Sequence, residues 1–349
     1  MTETLYVLET GSYLRREGES LKIFKEDAVI AEIPANGLKK LILVGHASMS
    51  GAVLDFLIRN RVETVFLTPT GRYRARLAID EHRHVALRMS QYLRLSDSAI
   101  ASHVAGSLVK GKIENMYRLM ILRARNYGAE SLRIAAIKVK SLANCIQEHS
   151  AMDYIRGIEG ATGNIYFSVF PEMIKNDAFI FKGRNRRPPL DPMNAMLSFV
   201  YTLLTNEVLS AIKTCGLDPY LGSLHEISYG RPSLACDLVE EYRSYLGDRL
   251  VLGLVNKRLI RPDDFIFRPS APKEFVDEQD MKARRPVEMK PGMNRTFIAA
   301  YEEMMNRSIH YPPLDKTIKY RWLIYQQVKS FGKSLENPEL MYQPFLWEM

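Results

Sequence analysis

Disulfide chemistry, secretion and membrane insertion find little material in this sequence. Its 349 residues hold three cysteines, Cys145, Cys215 and Cys236, an odd number with no CxxC pair. Neither a zinc knuckle nor a disulfide framework is therefore expected, and scattered thiols read as small buried apolar groups in a reducing cytoplasm. The opening Met1-Thr2-Glu3-Thr4 lacks a basic segment followed by an apolar one, so no signal peptide is expected. No uninterrupted apolar run is long enough to span a bilayer, and no internal repeat of fixed period occurs. These absences predict a soluble, cytoplasmic protein with no membrane partner.

An acidic excess is missing too. Lys and Arg number 48 against 40 Asp and Glu, a formal net charge of +8. That sign favours a polyanionic partner, because each neutralised phosphate releases counterions. Hydrophobic residues make up 46% and charged residues 25%, which excludes a disordered chain and supplies a real core. The length suits two domains better than one.

Short strands are predicted first, at Leu5–Leu8, Tyr13–Arg15, Leu21–Phe24, Val29–Ile33 and Leu38–Val44, separated by Gly, Asn, Asp and charged turns. Leu21 and Ile23 flank Lys22, the half-buried alternation of an antiparallel sheet. A helix over Ser50–Arg59 and two more strands, Thr64–Leu67 and Tyr73–Leu77, complete the pattern of a small β-sandwich or β-roll. From about Val85 the period becomes 3.6, with Leu108, Ile113, Met116, Leu119, Met120 and Leu122 on one stripe. Further helices are expected at Ser131–Glu148, Met152–Phe170, Pro192–Thr214, Leu234–Leu246 and Thr296–Met305. The fold class is α+β, with a β-rich domain over 1–84 and a larger, mainly α-helical domain over 85–349. Residues 268–291, rich in proline and charge, read as a mobile loop.

Three segments could carry chemistry. In Tyr154–Phe167, Glu159, Gly163 and Tyr166 share one helix face. Gly160 and Gly163 each weaken that helix by about 1 kcal/mol, which either a close approach of backbone or phosphate or a tight helix crossing would explain. In Gly216–His225, a Gly and Asp-Pro turn leads to His225 on a loop. In Gly230–Arg243, Ser233 is a candidate N-cap, and Leu234, Leu238, Tyr242 and Tyr245 form a buried stripe. Asp237, Glu240 and Glu241 lie together off that stripe, where like charges repel unless a cation sits among them. A solvated acidic face is the plainer reading. Carboxylates and an imidazole from separate helices in a basic chain suggest a divalent metal that meets DNA, Mg²⁺ or Mn²⁺.

The runs Glu159-Gly160…Tyr166-Phe167, Arg187-Pro188-Pro189-Leu190-Asp191-Pro192-Met193-Asn194-Ala195, Gly216–His225 and Gly230–Arg243, with Gly71–Leu77 and the ending Pro344–Trp347, resemble the Cas-one family, the integrase that captures CRISPR spacers. Both ends are most similar to the version found with type I-C systems. The resemblance implies metal ligands at Glu159, His225 and Glu240, a second acidic position at Asp237, and a basic residue near the scissile phosphate at Arg231. It also implies a dimer built through the β-domains and a complex with the small Cas-two protein. The reaction implied is attack by a DNA 3′-hydroxyl on a phosphodiester at the edge of a CRISPR repeat, with double-stranded protospacer and leader–repeat DNA as partners. Tyr166 and Arg231 would position the phosphate, and Arg72, Arg74, Lys112, Arg184 and Arg187 would hold the DNA backbone without reading sequence. Two other readings stay open. One is a non-catalytic nucleic-acid scaffold whose carboxylates pair with basic side chains; the other is a metal-dependent hydrolase of a small phosphorylated metabolite.

Overall fold

The continuous apolar run Leu41–Val44 decides how the N-terminal residues assemble. Among residues 4–68, 73–77, 84–185, 188–268, 286–337 and 339–348, those described by the computed structural model, the chain separates into two compact units, Met1–His82 and Arg83–Met349. In the first, β1 (Thr4–Val7), β2 (Ser12–Glu17), β3 (Ser20–Lys25), β4 (Ala28–Pro34), β5 (Lys40–Val44), β6 (Ala47–Met49), α1 (Gly51–Arg59), β7 (Glu63–Leu67) and β8 (Tyr73–Arg76) form two four-stranded sheets. One sheet runs β4-β3-β2-β6, and its β2, β3 and β4 are the antiparallel meander that the alternation around Lys22 predicts. The other runs β1-β5-β7-β8, with β1, β5 and β7 parallel. This departs from a purely antiparallel sandwich for a physical reason. Every residue of β5 is buried, as in a parallel strand covered on both faces, and parallel pairing with β7 needs the crossover that α1 supplies. Leu14, Leu21, Leu41, Leu43, Val53 and Leu57 make the core shared by both sheets and α1.

The second unit is mainly helical, which makes the chain α+β. Its helices are α2 (Val85–Ser96), α3 (Ser98–Tyr127), α4 (Glu130–Ala143), α5 (Met152–Val169), α6 (Pro192–Thr214), α7 (Ser233–Leu238), α8 (Glu240–Tyr242), α9 (Arg249–Asn256), α10 (Pro291–Asn306) and α11 (Tyr320–Glu336). The 30-residue α3 starts where Asp97 accepts from the Ala99 and Ile100 amides at 2.8 and 3.1 Å. It ends at Gly128, whose φ of 64° suits a glycine C-cap. The helix buries residues on every side, so it is the spine of the unit. Two antiparallel pairs, β9 (Phe265–Phe267) with β10 (Val287–Met289) and β11 (Ser308–Tyr311) with β12 (Lys316–Lys319), flank α10.

Several expectations are corrected here. The helix expected to reach Glu148 ends at Ala143, because Asn144 starts a run of turns. The helix expected over Leu234–Leu246 breaks at Val239 and passes into a π-helical turn, Arg243–Asp248. Ser233 does not cap it; its hydroxyl bonds the Tyr220 carbonyl at 2.5 Å and accepts from the Gly222 amide at 3.0 Å. Helix α11, with Leu323, Ile324, Val328 and Phe331 buried, has no counterpart in the sequence reading. Of the stretch read as a loop, residues 269–285 lie outside the described residues, and its ends pair as β9 and β10. Helix α6 is long and apolar enough to cross a membrane, but 67% of its apolar window is buried within the protein. Cys145 is exposed rather than buried, and all three thiols are free.

Candidate metal and nucleic-acid site

The acids read from sequence as one face are instead sent to three different sets of partners, and all three are buried. Asp237 organises the loop before α7. Its Oδ2 accepts the Ser223 and Leu224 amides at 2.6 and 2.9 Å, and its Oδ1 accepts the His225 amide at 2.9 Å and lies 2.7 Å from His225 Nδ1. The fit is close: a Cβ at position 222 would stand 2.5 Å from Asp237 Oδ2, which restricts it to glycine. A carboxylate at Nδ1 selects the neutral tautomer with its proton on Nδ1, the form in which Nε2 offers a lone pair. Arg156 on α5 fastens the same loop, donating to the Leu224 carbonyl at 2.9 Å and to Glu226 at 3.2 Å.

Glu159 on α5 and Glu240 on α8 converge on one cation, the Lys112 ammonium from α3. Lys112 donates to Glu159 Oε1 and lies 2.8 Å from Glu240 Oε2. That second contact lacks hydrogen-bond alignment, so Glu240 Oε2 is a buried oxygen with no hydrogen bond. The other oxygen of Glu240 pairs with Arg243 at 2.9 Å. Burial pushes the Glu240 carboxyl up, but the Arg243 and Lys112 charges outweigh it and hold its pKa down at about 2. Glu241, the next residue, faces away from this cluster. It accepts Tyr342 Oη and the Phe345 amide, the latter at 2.8 Å, and burial pushes it up to about 7.

Lys112 and Glu159 open onto a cavity of about 570 Å³, with Lys182, Arg184 and Arg243 as further charged walls. Gly160 and Gly163 also line it, and a Cβ on either would meet nothing within 4 Å. They face open space and not a helix crossing, so the α5 surface is kept low beneath whatever enters. With Lys182 and Arg184 added to the acid-paired Lys112 and Arg243, the lining is net positive, which suits a phosphodiester.

The structure thus brings Glu159 and Glu240 together around Lys112, with His225 held by Asp237 on the loop before α7. Among the described residues, however, no three His, Cys, Asp or Glu groups meet as a metal cage, and the Lys112 ammonium stands between Glu159 and Glu240. Lys112, expected on the DNA-binding surface, is only 4% exposed, since its charge is spent on those acids. Tyr166, expected to position a phosphate, is fully buried, and its hydroxyl donates to Asp248 at 2.6 Å. Tyr201 bonds the other Asp248 oxygen at 2.6 Å and does line the cavity. Arg231 is exposed and is not among the cavity's walls. Arg184 is one of the walls, fixed by Asn194 at 2.7 Å and Ser198 at 3.1 Å. Arg74 stands exposed on β8, and Arg72 and Arg187 lie outside the described residues. Reading the sequence missed Arg156, Lys182, Tyr201, Arg243 and Asp248. Only Arg243, three residues after Glu240, carried a local signal.

Fold and cavity together define a two-unit α+β protein with acids and an imidazole beside a basic cleft. Residues 5–303 match the family described as CRISPR associated protein Cas1. The chain is 37% identical over 351 residues to CRISPR-associated endonuclease Cas1 1 of Chlorobaculum tepidum, covering 99% of this chain and 98% of that one. Its fold matches a casposase solved bound to integration product, at a TM-score of 0.80 and 20% identity over 99% of this chain and 95% of that chain. It also matches a chain of a Cas6-RT-Cas1–Cas2 complex at a TM-score of 0.80 and 20% identity, covering 98% of this chain and 36% of that longer one. This chain belongs to the Cas1 family of CRISPR-associated proteins.

Proposed function

We propose that the protein is a divalent-metal-dependent DNA endonuclease and strand-transfer enzyme of CRISPR adaptation, acting in the cytoplasm as a homodimer with the small Cas2 protein. The observation that carries this reading is the convergence of Glu159 and Glu240 on one cation at the edge of a basic cavity. The relative named as an endonuclease, the casposase with its integration product and the Cas1–Cas2 assembly support it.

The donors suit a hard cation: two carboxylates, one imidazole lone pair, and a buried Glu240 oxygen whose hydrogen-bonding capacity is unfilled. Glu159, His225 and Glu240 would hold Mg²⁺ or Mn²⁺. Such an ion polarises a phosphate and lowers the pKa of an attacking hydroxyl. The chain's own side chains do the remaining work. Asp237 fixes the His225 tautomer, as carboxylates behind ligand imidazoles do. Lys182, Arg184 and Arg243 neutralise and align the phosphodiester for in-line attack by a DNA 3′-hydroxyl. Tyr201, held by Asp248, stiffens the wall on which Arg184 and Arg243 lie, with their guanidiniums 5.5 and 5.0 Å from its ring centre.

The pairing of Glu159 and Glu240 with Lys112 and Arg243 favours a second reading, a nucleic-acid scaffold whose acids serve only as structural partners. A supercoiled plasmid carrying a repeat, incubated with the protein, short duplex DNA and Mn²⁺, separates the two. Nicking and joined products are expected; binding without nicking at any Mn²⁺ concentration would leave the scaffold.

A further inference from the structure

Lysine is almost never fully buried unless paired, and the pairing of Lys112 is unusual in having two acids share one ammonium. Its backbone cannot drift. One residue earlier, a Cβ at Gly111 would lie 2.5 Å from Pro344, so the C-terminal tail crosses directly on α3. Three residues later, Asn115 donates to the Glu241 and Phe345 carbonyls at 2.9 and 2.8 Å. What remains free to move is the four-carbon stem, which ends beside the open cavity that Lys112 lines. The charge balance is already closed, with Lys112 and Arg243 opposite Glu159 and Glu240. A divalent cation added to that set would bring excess positive charge into a buried place, which is unfavourable unless one resident cation leaves. Arg243 is held by Glu240 and by the Tyr201 ring, so Lys112 is the one with somewhere to go.

We infer that Lys112 is a tethered counter-ion that occupies the position between Glu159 and Glu240 in the metal-free protein, and that a divalent cation binds there only when this ammonium swings out into the cavity. The inference rests on the reading of these acids as metal ligands. A resident occupant lowers the apparent affinity of the entering ion by the fraction of time it is out of the way. The site is then quiet until metal is abundant, or until a phosphate in the cavity gives the displaced ammonium a new partner.

Mn²⁺ titration of wild type and Lys112→Met, followed by the electron paramagnetic resonance of free Mn²⁺ at constant ionic strength, tests this without reference to activity. The variant is expected to bind Mn²⁺ at least about tenfold more tightly, since no tethered ammonium then competes for the position. Metal-free, it should melt below wild type, because the buried Glu240 and the partly exposed Glu159 lose their shared cation; saturating Mn²⁺ should close that gap. Equal Mn²⁺ affinities in the two proteins would overturn the inference while leaving the metal site standing. If neither protein binds Mn²⁺, the metal reading itself fails and this inference with it. Should the variant not fold, a crystal structure of wild type with Mn²⁺ decides: Lys112 Nζ must have left both carboxylates, and Nζ still paired with both beside a bound ion overturns the proposal.

Discussion

Single substitutions at this site do not all remove the same thing, because the acids differ in burial and partners. Glu159 keeps 30% of its side chain exposed, whereas Glu240 keeps 2% and faces two cations. Glu159→Gln, His225→Ala and Glu240→Gln are each expected to abolish Mn²⁺-dependent nicking. The first two should melt close to wild type. Glu240→Gln should lose about 3 kcal/mol, since it strands Lys112 and Arg243 against a neutral amide. Asp237→Asn turns an amide NH₂ toward donors that need an acceptor, at about 1–3 kcal/mol for each group left unsatisfied. It should lose stability and activity together. Plasmid nicking beside thermal melts checks the series; an Asp237→Asn protein as stable and active as wild type would refute its place behind His225. Asp248 supplies a pH signature. Burial pushes it up to about 6, against the opposing hydrogen bonds from Tyr166 and Tyr201, from an ordinary value of 3.8. The folded state therefore holds a proton that the unfolded state releases between those values, and this group's stabilisation falls as pH rises through that window. Denaturant melts from pH 4 to 7 should show Asp248→Asn with a flatter profile than wild type, by up to about 3 kcal/mol across the window; identical profiles would contradict it.

At the scale of elements, the acidic helix is shaped by what grips it. Asp237 is drawn to the preceding loop, Glu240 to α3 and Glu241 to the C-terminal tail, and over that span α7 gives way to α8 and a π-helical turn. Irregular turns of this kind concentrate at functional sites. The tail is part of the clamp: Phe345 stacks on Tyr242 with ring centres 6.0 Å apart, and Trp347 on Tyr245 at 4.9 Å. Phe345→Ala should cost about 3–5 kcal/mol, the usual range for a buried phenylalanine. Because the tail backs α8, the same change should also raise the Mn²⁺ concentration needed for nicking. Urea unfolding and a Mn²⁺ titration read the two effects, and a normal metal requirement in a destabilised variant would separate the tail from the site.

For the whole molecule, charge and strand edges are the features that bear on partners. Strand β4 is a sheet edge, and it leaves Val29 and Ile30 50% and 45% exposed. The bulge where Ile23 and Phe24 face β4 spoils a continuous ladder across that edge, so a partner would meet it through side chains. Light scattering is expected to give about twice the monomer mass at micromolar concentration, as for a two-fold dimer. Val29→Lys with Ile30→Lys should shift it toward monomer; a wild-type monomer under those conditions would refute the dimer.

How much of this was legible in the sequence depends on whether a feature is local. The two-part architecture, most strands of the first unit and the helices from α3 to α6 follow from alternation, period and turn residues, which act over a few positions. The three proposed ligands could be singled out only because long motifs around Glu159, His225 and Glu240 resemble a known family. Periodicity placed Tyr166 on the same face as Glu159, yet the cavity ends short of it and Asp248 captures its hydroxyl. Composition counted Lys112 among surface charges, but only the packing of α3 against α5 and α8 puts its ammonium between two acids from distant segments. Nor could spacing show that Asp237, Glu240 and Glu241, within five residues, would leave in three directions, since their partners come from residues 112, 223–225, 243 and 342–345. Local rules set most of the helices and strands and showed which segments carry charge. Only the tertiary structure decided which charges are neutralised, because burial and long-range pairing are properties of the assembled chain.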